Sequence, residues 1–403
     1  MRIVIIADSF PPLKNSAAVL IFSLVEALVG MGHQLLVITP SADILDHHCT
    51  DDFGTFKVLR IRCGKIKSHR LFMRGINELS LFFTFPHEFK KTSYKLNEWD
   101  VVIWYSPSIF LSGLIRYLMK RAKNSYLILR DIVPDWMVDV GIMKKGLSYY
   151  LLKWFERYQY HLADIIGVQS PGNKHYIEKL KLPNLKILEV LPNWMPSIST
   201  TYFFSVEAFS YADLQHTILA GRKVLIYAGN LGEAQGVENF AQVLFNFKYD
   251  LKVGFLIIGR GSKKEWLQSY VVSNHIQNAL ILDEVDLVTL GIYYRQCCAG
   301  LVFLDPSHQS HNIPGKFISY LEASLPVAAY VNFNNDLIEI IKANKLGFVT
   351  NNLAQFSSEL DAFVENIDAD EDYKSRARDF YEAYYQPNAI ATQIMSSISK
   401  VIN

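Results

Sequence analysis

Along the first half of the chain, short apolar runs alternate with stretches of helical period. Aliphatic and β-branched residues crowd into "RIVIIA" (2–7), "QLLVIT" (34–39), "DVVIWYS" (100–106), "SYLILR" (125–130), "IIGVQS" (165–170) and "KILEVL" (186–191), with helical spacing at 17–31 and 147–162. Runs that are apolar on both faces and joined by helices predict a parallel sheet covered on both sides. The alternation stops at 193–221, which holds neither period and includes Pro196. A second series opens at "KVLIYAG" (223–229) and continues through "GFLIIG" (254–259), "ALILD" (279–283), "GLVFL" (300–304), "VAAYV" (327–331) and "GFVT" (347–350). The pattern predicts an α/β chain of two doubly wound, Rossmann-like domains, 1–195 and 196–386, facing across a cleft where open sheets place ligands. Residues 371–403 regain a helical period that breaks at "QPNA" (386–389).

Composition narrows the classes. With 403 residues, 50% of them hydrophobic and 20% charged, the chain is globular and long enough for two cores. A net charge of +1 predicts no bulk attraction to nucleic acid. Cys49, Cys63, Cys297 and Cys298 have no metal-type spacing, and the adjacent pair lies in an apolar stretch, as expected of reduced core thiols in a cytoplasmic protein. No window reaches the roughly 18 uncharged apolar residues of a membrane span.

Residues 60–95 depart from this balance. Arg60, Arg62, Lys65, Lys67, Arg70, Arg74, Lys90, Lys91 and Lys95 face only Glu78 and Glu88, and "LSLFFTF" (79–85) is interleaved with them. Such a segment either seeks an anionic lipid surface or is a core helix with a solvated face. On the first reading the protein sits peripherally on the inner face of the cytoplasmic membrane.

The candidate chemistry gathers in the second half. "HNIPGKFISYLEASLPV" (311–327) reads as a helix entered through Pro314 and Gly315, with Lys316 beside its electropositive end. A cation and a glycine at unpaired helix N–H groups suit a phosphate. "YAGNLGEAQG" (227–236) and "IIGRGSKKEW" (257–266) are glycine turns between strand and helix that carry Gly229, Gly259, Arg260 and Lys263. Each turn has a purely steric explanation; three converging on strand ends point to a nucleotide diphosphate. No Asp-x-Asp pair stands at a strand end, since "DAD" (368–370) lies in a polar helical tail, so neither metal nor cofactor is expected.

Several stretches resemble the family 4 glycosyltransferases, which have the GT-B fold. They are 7–40, "LPNW" (191–194), "YAGNLGEAQG", "IIGRGS" and "PGKFISYLEASLPV". "IWYSPSIFLSG" (103–113), "LRDIVPDWMVDVG" (129–141) and "GVQSPGN" (167–173) are further similar to the bacterial O-antigen and capsule transferases proposed to move N-acetyl-L-fucosamine. The resemblance implies a retaining, metal-independent transfer from a UDP-sugar to a polyprenyl-diphosphate-linked saccharide, with same-face attack assisted by the departing phosphate. It also implies a last helix, 387–403, that crosses back to the first domain. The rival readings are a non-catalytic sugar-nucleotide-binding partner and a GT-B enzyme of other chemistry, such as a 2-epimerase.

Family residues carry over unevenly. The basic pair that holds the donor diphosphate in that family falls at Asn230 and Gln235, which leaves the charge to Arg260, Lys263 and Lys316. The family's two glutamates fall at His311 and Ser319. Glu322, one turn beyond Ser319, is either a ribose ligand or a solvated helix residue, and His311 either touches the sugar or caps the helix. On the acceptor side, Asn15, Ser16 and Ala17 stand where the family has a glycine-rich loop. Asp131 follows strand 125–130, where the family places a group near the reacting sugar; alternatively it is an internal ion-pair partner.

Overall fold

The computed structural model describes residues 1–13, 15–64, 71–106, 108–130, 132–139, 143–196, 213–305, 313–333, 335–370 and 372–402. They form two compact units, Met1–Pro192 with Pro387–Asn403, and Asn193–Gln386.

The first unit runs β1 (Arg2–Ile6), α1 (Ser16–Gly30), β2 (Gln34–Ser41), β3 (His48–Asp52), β4 (Lys57–Arg62), α2 (Leu71–Phe89), β5 (Trp99–Tyr105), α3 (Ser112–Leu118), β6 (Ala122–Leu129), α4 (Asp135–Asp139), α5 (Leu147–His161), β7 (Ile165–Val168), α6 (Pro171–Lys179) and β8 (Ile187–Val190). Its sheet has the order β3-β4-β2-β1-β5-β6-β7-β8, parallel except where β3 pairs antiparallel with β4. The apolar runs read from the sequence are its strands β1, β2, β5, β6 and β7 and the half-buried edge strand β8; Ile3 to Ile6 are wholly buried. The β3–β4 edge carried no such signal because "HCTDD" is polar.

That edge corrects the reading of the basic segment. Arg60 lies on β4, 9% exposed, with Nε donating to Asp51 Oδ2 at 2.6 Å and Nη2 to Pro11 O at 2.5 Å. It is an internal ion-pair partner and not a surface cation. Leu81 and Phe85 of α2 are fully buried, while Phe83 is exposed. Lys65, Lys67 and Arg70 lie outside the described residues.

The second unit runs β9 (Lys223–Ala228), α7 (Val237–Asn246), β10 (Val253–Ile258), α8 (Lys264–Ser273), β11 (Ala279–Leu282), α9 (Leu287–Arg295), β12 (Ala299–Phe303), α10 (Gly315–Glu322), β13 (Val327–Tyr330), α11 (Leu337–Ala343), β14 (Gly347–Thr350), α12 (Leu353–Asn366) and α13 (Asp372–Tyr384). The parallel sheet has the order β11-β10-β9-β12-β13-β14. This is the doubly wound order whose chain direction reverses between its first and fourth strands, here β9 and β12.

After α13 the chain reaches Pro387 and starts α14 (Pro387–Ile402), which belongs to the first unit. Ile390, Ala391, Ile394 and Ile398 are buried, and Gln393 Nε2 donates to Glu189 Oε2 and Val190 O, both at 2.8 Å. Each buried isoleucine contributes about 1.5–3 kcal/mol, enough to hold the returning helix in place.

The switch point is built around Tyr320. β9 and β12 pair only at Ala299↔Leu225 and Gly300↔Ile226, so they part beyond these residues. Tyr320 of α10, fully buried, spans the parting: its hydroxyl donates to Leu301 O at 3.1 Å and accepts from Ala228 N at 3.0 Å. Position 300 has to be glycine, because a Cβ there would strike the Tyr320 ring.

Candidate functional site

Lys316 stands four residues before Tyr320, and side chains at that spacing share a helix face. Anchoring Tyr320 between β9 and β12 therefore aims Lys316 at the end of β9. Its Nζ donates to Gln235 Oε1 at 3.2 Å and lies 3.6 Å from the centroid of the Tyr227 ring. A Cβ built on Gly229 would stand 3.7 Å from Nζ. Tyr227 is itself fixed, buried in the sheet with its hydroxyl donating to Asn230 O at 2.6 Å.

Lys316 as a residue is half-buried, but its ammonium end is enclosed by the ring and the loop. Burial pushes its pKa down to about 7. One neutral acceptor and a ring face return about 2–4 kcal/mol together, less than the cost of desolvating an ammonium, so the proton is loosely held. Among the described residues no carboxylate pairs with it. An anion placed here would restore the full charge.

Helix α10 adds to that field. Pro314 is its N-cap, with φ −63° and ψ 137°, and offers no capping side chain. Phe317 N donates to Pro314 O at 3.0 Å, which leaves the N–H groups of Gly315 and Lys316 as the ones without an intrahelical acceptor. Gly315 is exposed, with no atom within 4 Å of where a Cβ would stand.

The glycine loops close the floor. Gly259 abuts Gly229 so closely that a Cβ would collide with the Gly229 carbonyl oxygen. Leu231 N donates to Arg260 O at 2.8 Å, Lys263 N to Leu231 O at 2.9 Å, and Asp305 N to Ala234 O at 3.1 Å. Backbone after β9, β10 and β12 is thereby tied into one rim, on which Asn230 is exposed.

The other cations are placed differently. Arg260 is largely exposed, with Nε 3.1 Å from Glu284 Oε2. Lys263 reaches Glu238 at 2.7 Å and Glu233 at 3.1 Å, and these hydrogen bonds raise its pKa. Glu322 is not the solvated helix residue of one sequence reading. It is 7% exposed, its carboxylate 3.6 Å from Arg378 Nη1 of α13, which also donates to the Glu322 carbonyl at 2.9 Å. Burial against α13 commits it to the helix pair. Ser319 Oγ donates to Gly315 O at 3.3 Å and also bonds Tyr294.

In the first unit Asn15 caps α1, its Oδ1 accepting from Ala18 N at 3.0 Å and its Nδ2 donating to Ser9 Oγ at 3.4 Å. Ser16 is exposed in the first turn and Ala17 half-buried. Asp131 and His311 lie outside the described residues. Among the described residues, no three His, Cys, Asp or Glu side chains gather as ligands of a metal ion would.

Tyr227 and Tyr320 escaped the sequence reading. The four-residue spacing of Lys316 and Tyr320 was visible, but the parting of β9 and β12 that gives it meaning is a property of the sheet.

No protein-family model matches the chain. It is 23% identical over 284 residues to the probable glycosyltransferase WbjE of Pseudomonas aeruginosa, covering 70% of this chain and 68% of that protein. Over 301 residues it is 23% identical to the putative colanic acid biosynthesis glycosyl transferase WcaI of Escherichia coli (strain K12), covering 69% and 70%. Among solved structures, sucrose-phosphate synthase from Thermosynechococcus elongatus aligns at TM-score 0.68 and 13% identity over 100% of this chain and 99% of its own. An E. coli trehalose-6-phosphate structure bound with UDP-2-fluoro glucose aligns at 0.69 and 13%, covering 99% of each. The UDP-forming trehalose-phosphate synthase of Burkholderia xenovorans in complex with glucose-6-phosphate aligns at 0.69 and 12%, covering 99% and 100%. The fold is GT-B, with two Rossmann-like domains, and the sequence relatives are glycosyltransferases.

Proposed function

We propose that the protein is a retaining, metal-independent glycosyltransferase of family 4 that moves a sugar from a UDP-sugar to a polyprenyl-diphosphate-linked saccharide in O-antigen or capsule synthesis. The observation that carries this reading is Lys316, a buried ammonium without an acidic partner among the described residues, held beside an uncapped helix N-terminus at the switch point of a doubly wound sheet. A diphosphate is the anion that such a site accommodates. The fold shared with an enzyme bound to UDP-2-fluoro glucose supports UDP as the carrier. Both sequence relatives are named as glycosyltransferases, which sets a transferase ahead of a non-catalytic binder, and the name of one, a colanic acid biosynthesis transferase, supports a polysaccharide as the product. The resemblance of 103–113, 129–141 and 167–173 supports an N-acetylated deoxyamino sugar, N-acetyl-L-fucosamine.

In this reading the bond from the anomeric carbon to the β-phosphate oxygen breaks as the acceptor oxygen forms its bond on the same face, and the acceptor proton passes to the departing phosphate. Negative charge grows on that phosphate, where Lys316 and the first N–H groups of α10 stabilise it most in the transition state. Lys316 is the fixed cation. Arg260 would have to leave Glu284 to assist, and Lys263 would have to leave Glu233 and Glu238. Gly229, Asn230, Gln235, Gly259, Pro314 and Gly315 form the backbone rim, with Ser319 beneath. Asp131 and His311 are assigned to the reacting sugar, and Asn15, Ser16 and Ala17 to the acceptor side. The lipid-linked acceptor places the enzyme at the inner face of the cytoplasmic membrane.

The test is a calorimetric screen of UDP- and GDP-sugars against wild type and Lys316→Met. A UDP-sugar that binds wild type and is weakened at least about a hundredfold by the substitution supports the reading. Equal binding by the two proteins overturns it.

A further inference from the structure

Helix α5 turns large apolar side chains outward. Leu147, Tyr150, Leu151 and Trp154 are 89%, 65%, 48% and 53% exposed, at spacings of three and four residues that put them on one face. The opposite face is filled by buried Tyr149, Phe155, Glu156, Gln159 and Tyr160, so the outward stripe is surplus to the core. Trp154 stacks on Tyr158 at 5.3 Å, Tyr158 meets Phe82 of α2 at 5.8 Å, and Phe82 meets Phe83, 66% exposed, at 5.0 Å. One apolar surface thus runs from α5 onto α2.

Its frame is cationic. Lys144 and Lys145 are exposed just ahead of α5, and Arg157 is exposed on it. Arg116 of α3 donates to the Tyr158 hydroxyl at 3.0 Å, with its guanidinium 5.9 Å from the ring. The acid in α5, Glu156, is buried against Lys153, and α3 has none.

We infer that this face docks on an anionic lipid bilayer, with Leu151 and Trp154 entering the interface and the four cations meeting the headgroups. Amphipathic aromatics beside Lys and Arg match the interfacial region in both polarity and charge. A second copy of the chain fits less well, because a two-fold contact across this face would bring Arg116 and Arg157 near their own images. Among the described residues no helix is long and apolar enough to cross a membrane, so contact is by surface. The inference deepens the membrane part of the proposed function and moves the contact away from 60–95, of which Phe83 remains.

Co-sedimentation with vesicles of phosphatidylcholine, with and without phosphatidylglycerol, tests it. The double variant Leu151→Ser/Trp154→Ser should lose at least about tenfold in partitioning to the anionic vesicles. The triple variant Lys144→Gln/Lys145→Gln/Arg157→Gln should lose roughly a hundredfold at low salt, from about fivefold per cation. Because these side chains are exposed, both variants should melt with wild type, and both should retain sugar transfer to a short-chain, water-soluble acceptor. Brominated lipid should quench emission that Trp154→Phe removes. Unchanged partitioning of the double variant, equal binding of wild type to neutral vesicles, or a wild-type dimer that the double variant dissolves would each overturn the inference. Loss of transfer with vesicle binding intact would instead count against the transferase reading.

Discussion

The Lys316 ammonium sits 3.6 Å from the centroid of the Tyr227 ring, on the strand that flanks the switch point. That contact and the bond to Gln235 hold a charge the protein would be more stable without. Lys316→Met should therefore act in opposite directions on stability and on function. The folded pKa near 7 lies below the unfolded value of about 10.4, so the folded state binds fewer protons between the two. The burial cost is full below pH 7 and is relieved as pH rises toward about 10.4. The variant should gain about 2 kcal/mol near pH 6 and progressively less above pH 7, measured by denaturant unfolding, while donor affinity falls. A variant less stable than wild type near pH 6 would contradict this account of the burial.

Arg260 should matter less than Lys316. Its ion pair with Glu284 is exposed and contributes about 0–1 kcal/mol to stability. Arg260→Ala is expected to change UDP-sugar affinity by less than about fivefold, against at least about a hundredfold for Lys316→Met, in side-by-side titrations. Equal losses would mean that Arg260 leaves Glu284 to grip the donor.

Helix α10 ends on a strained residue. Ser324 has φ 59°, with its N–H donating to Leu321 O at 3.0 Å while Leu325 N donates to Tyr320 O at 2.8 Å. Glycine adopts this conformation without a Cβ penalty. Ser324→Gly should raise stability by about 0.5–1 kcal/mol in urea unfolding and leave donor binding unchanged.

A buried ionic cluster holds α4, α5 and α6 together. Lys153 Nζ lies 2.6 Å from both Asp135 Oδ2 and Glu156 Oε2, and Tyr176 donates to the same two carboxylates at 2.8 and 3.0 Å. Lys153→Met leaves two neighbouring carboxylates without their cation and should cost about 3–5 kcal/mol at neutral pH. Burial already raises the Glu156 pKa, while Lys153 helps to hold that of Asp135 down; removing the cation pushes both up, so the loss should shrink as pH falls below about 5. Urea midpoints across pH check both the size and the trend.

The inner strands were readable because parallel strands covered on both faces must be apolar from end to end. The β3–β4 edge was not, since Arg60 pairs with Asp51 and ordinary polar residues suffice there. Lys316 could be picked out by its place at a helix start. Its rivals could not be set aside, because Glu284 lies 24 residues beyond Arg260 in the chain and Glu233 lies 30 before Lys263, pairings that only the folded sheet creates. The burial of Glu322 was hidden for the same reason: Arg378, its partner, is 56 residues away. The stripe on α5 was not legible as an open face, because the helical spacing of 147–162 cannot say which face of a helix the fold leaves exposed.

The most direct test of the Lys316 account is proton uptake when a UDP-sugar binds. The donor's diphosphate carries no titrating group near neutrality, whereas Lys316, with a pKa near 7, is largely uncharged at about pH 8.5 and should be recharged by the ligand. Titrations in buffers of different ionisation enthalpy should show close to one proton taken up at about pH 8.5, far less at about pH 6, and none at either pH in Lys316→Met. Tight binding at about pH 8.5 with no uptake, or the same uptake in the variant, would contradict the claim that Lys316 receives the diphosphate.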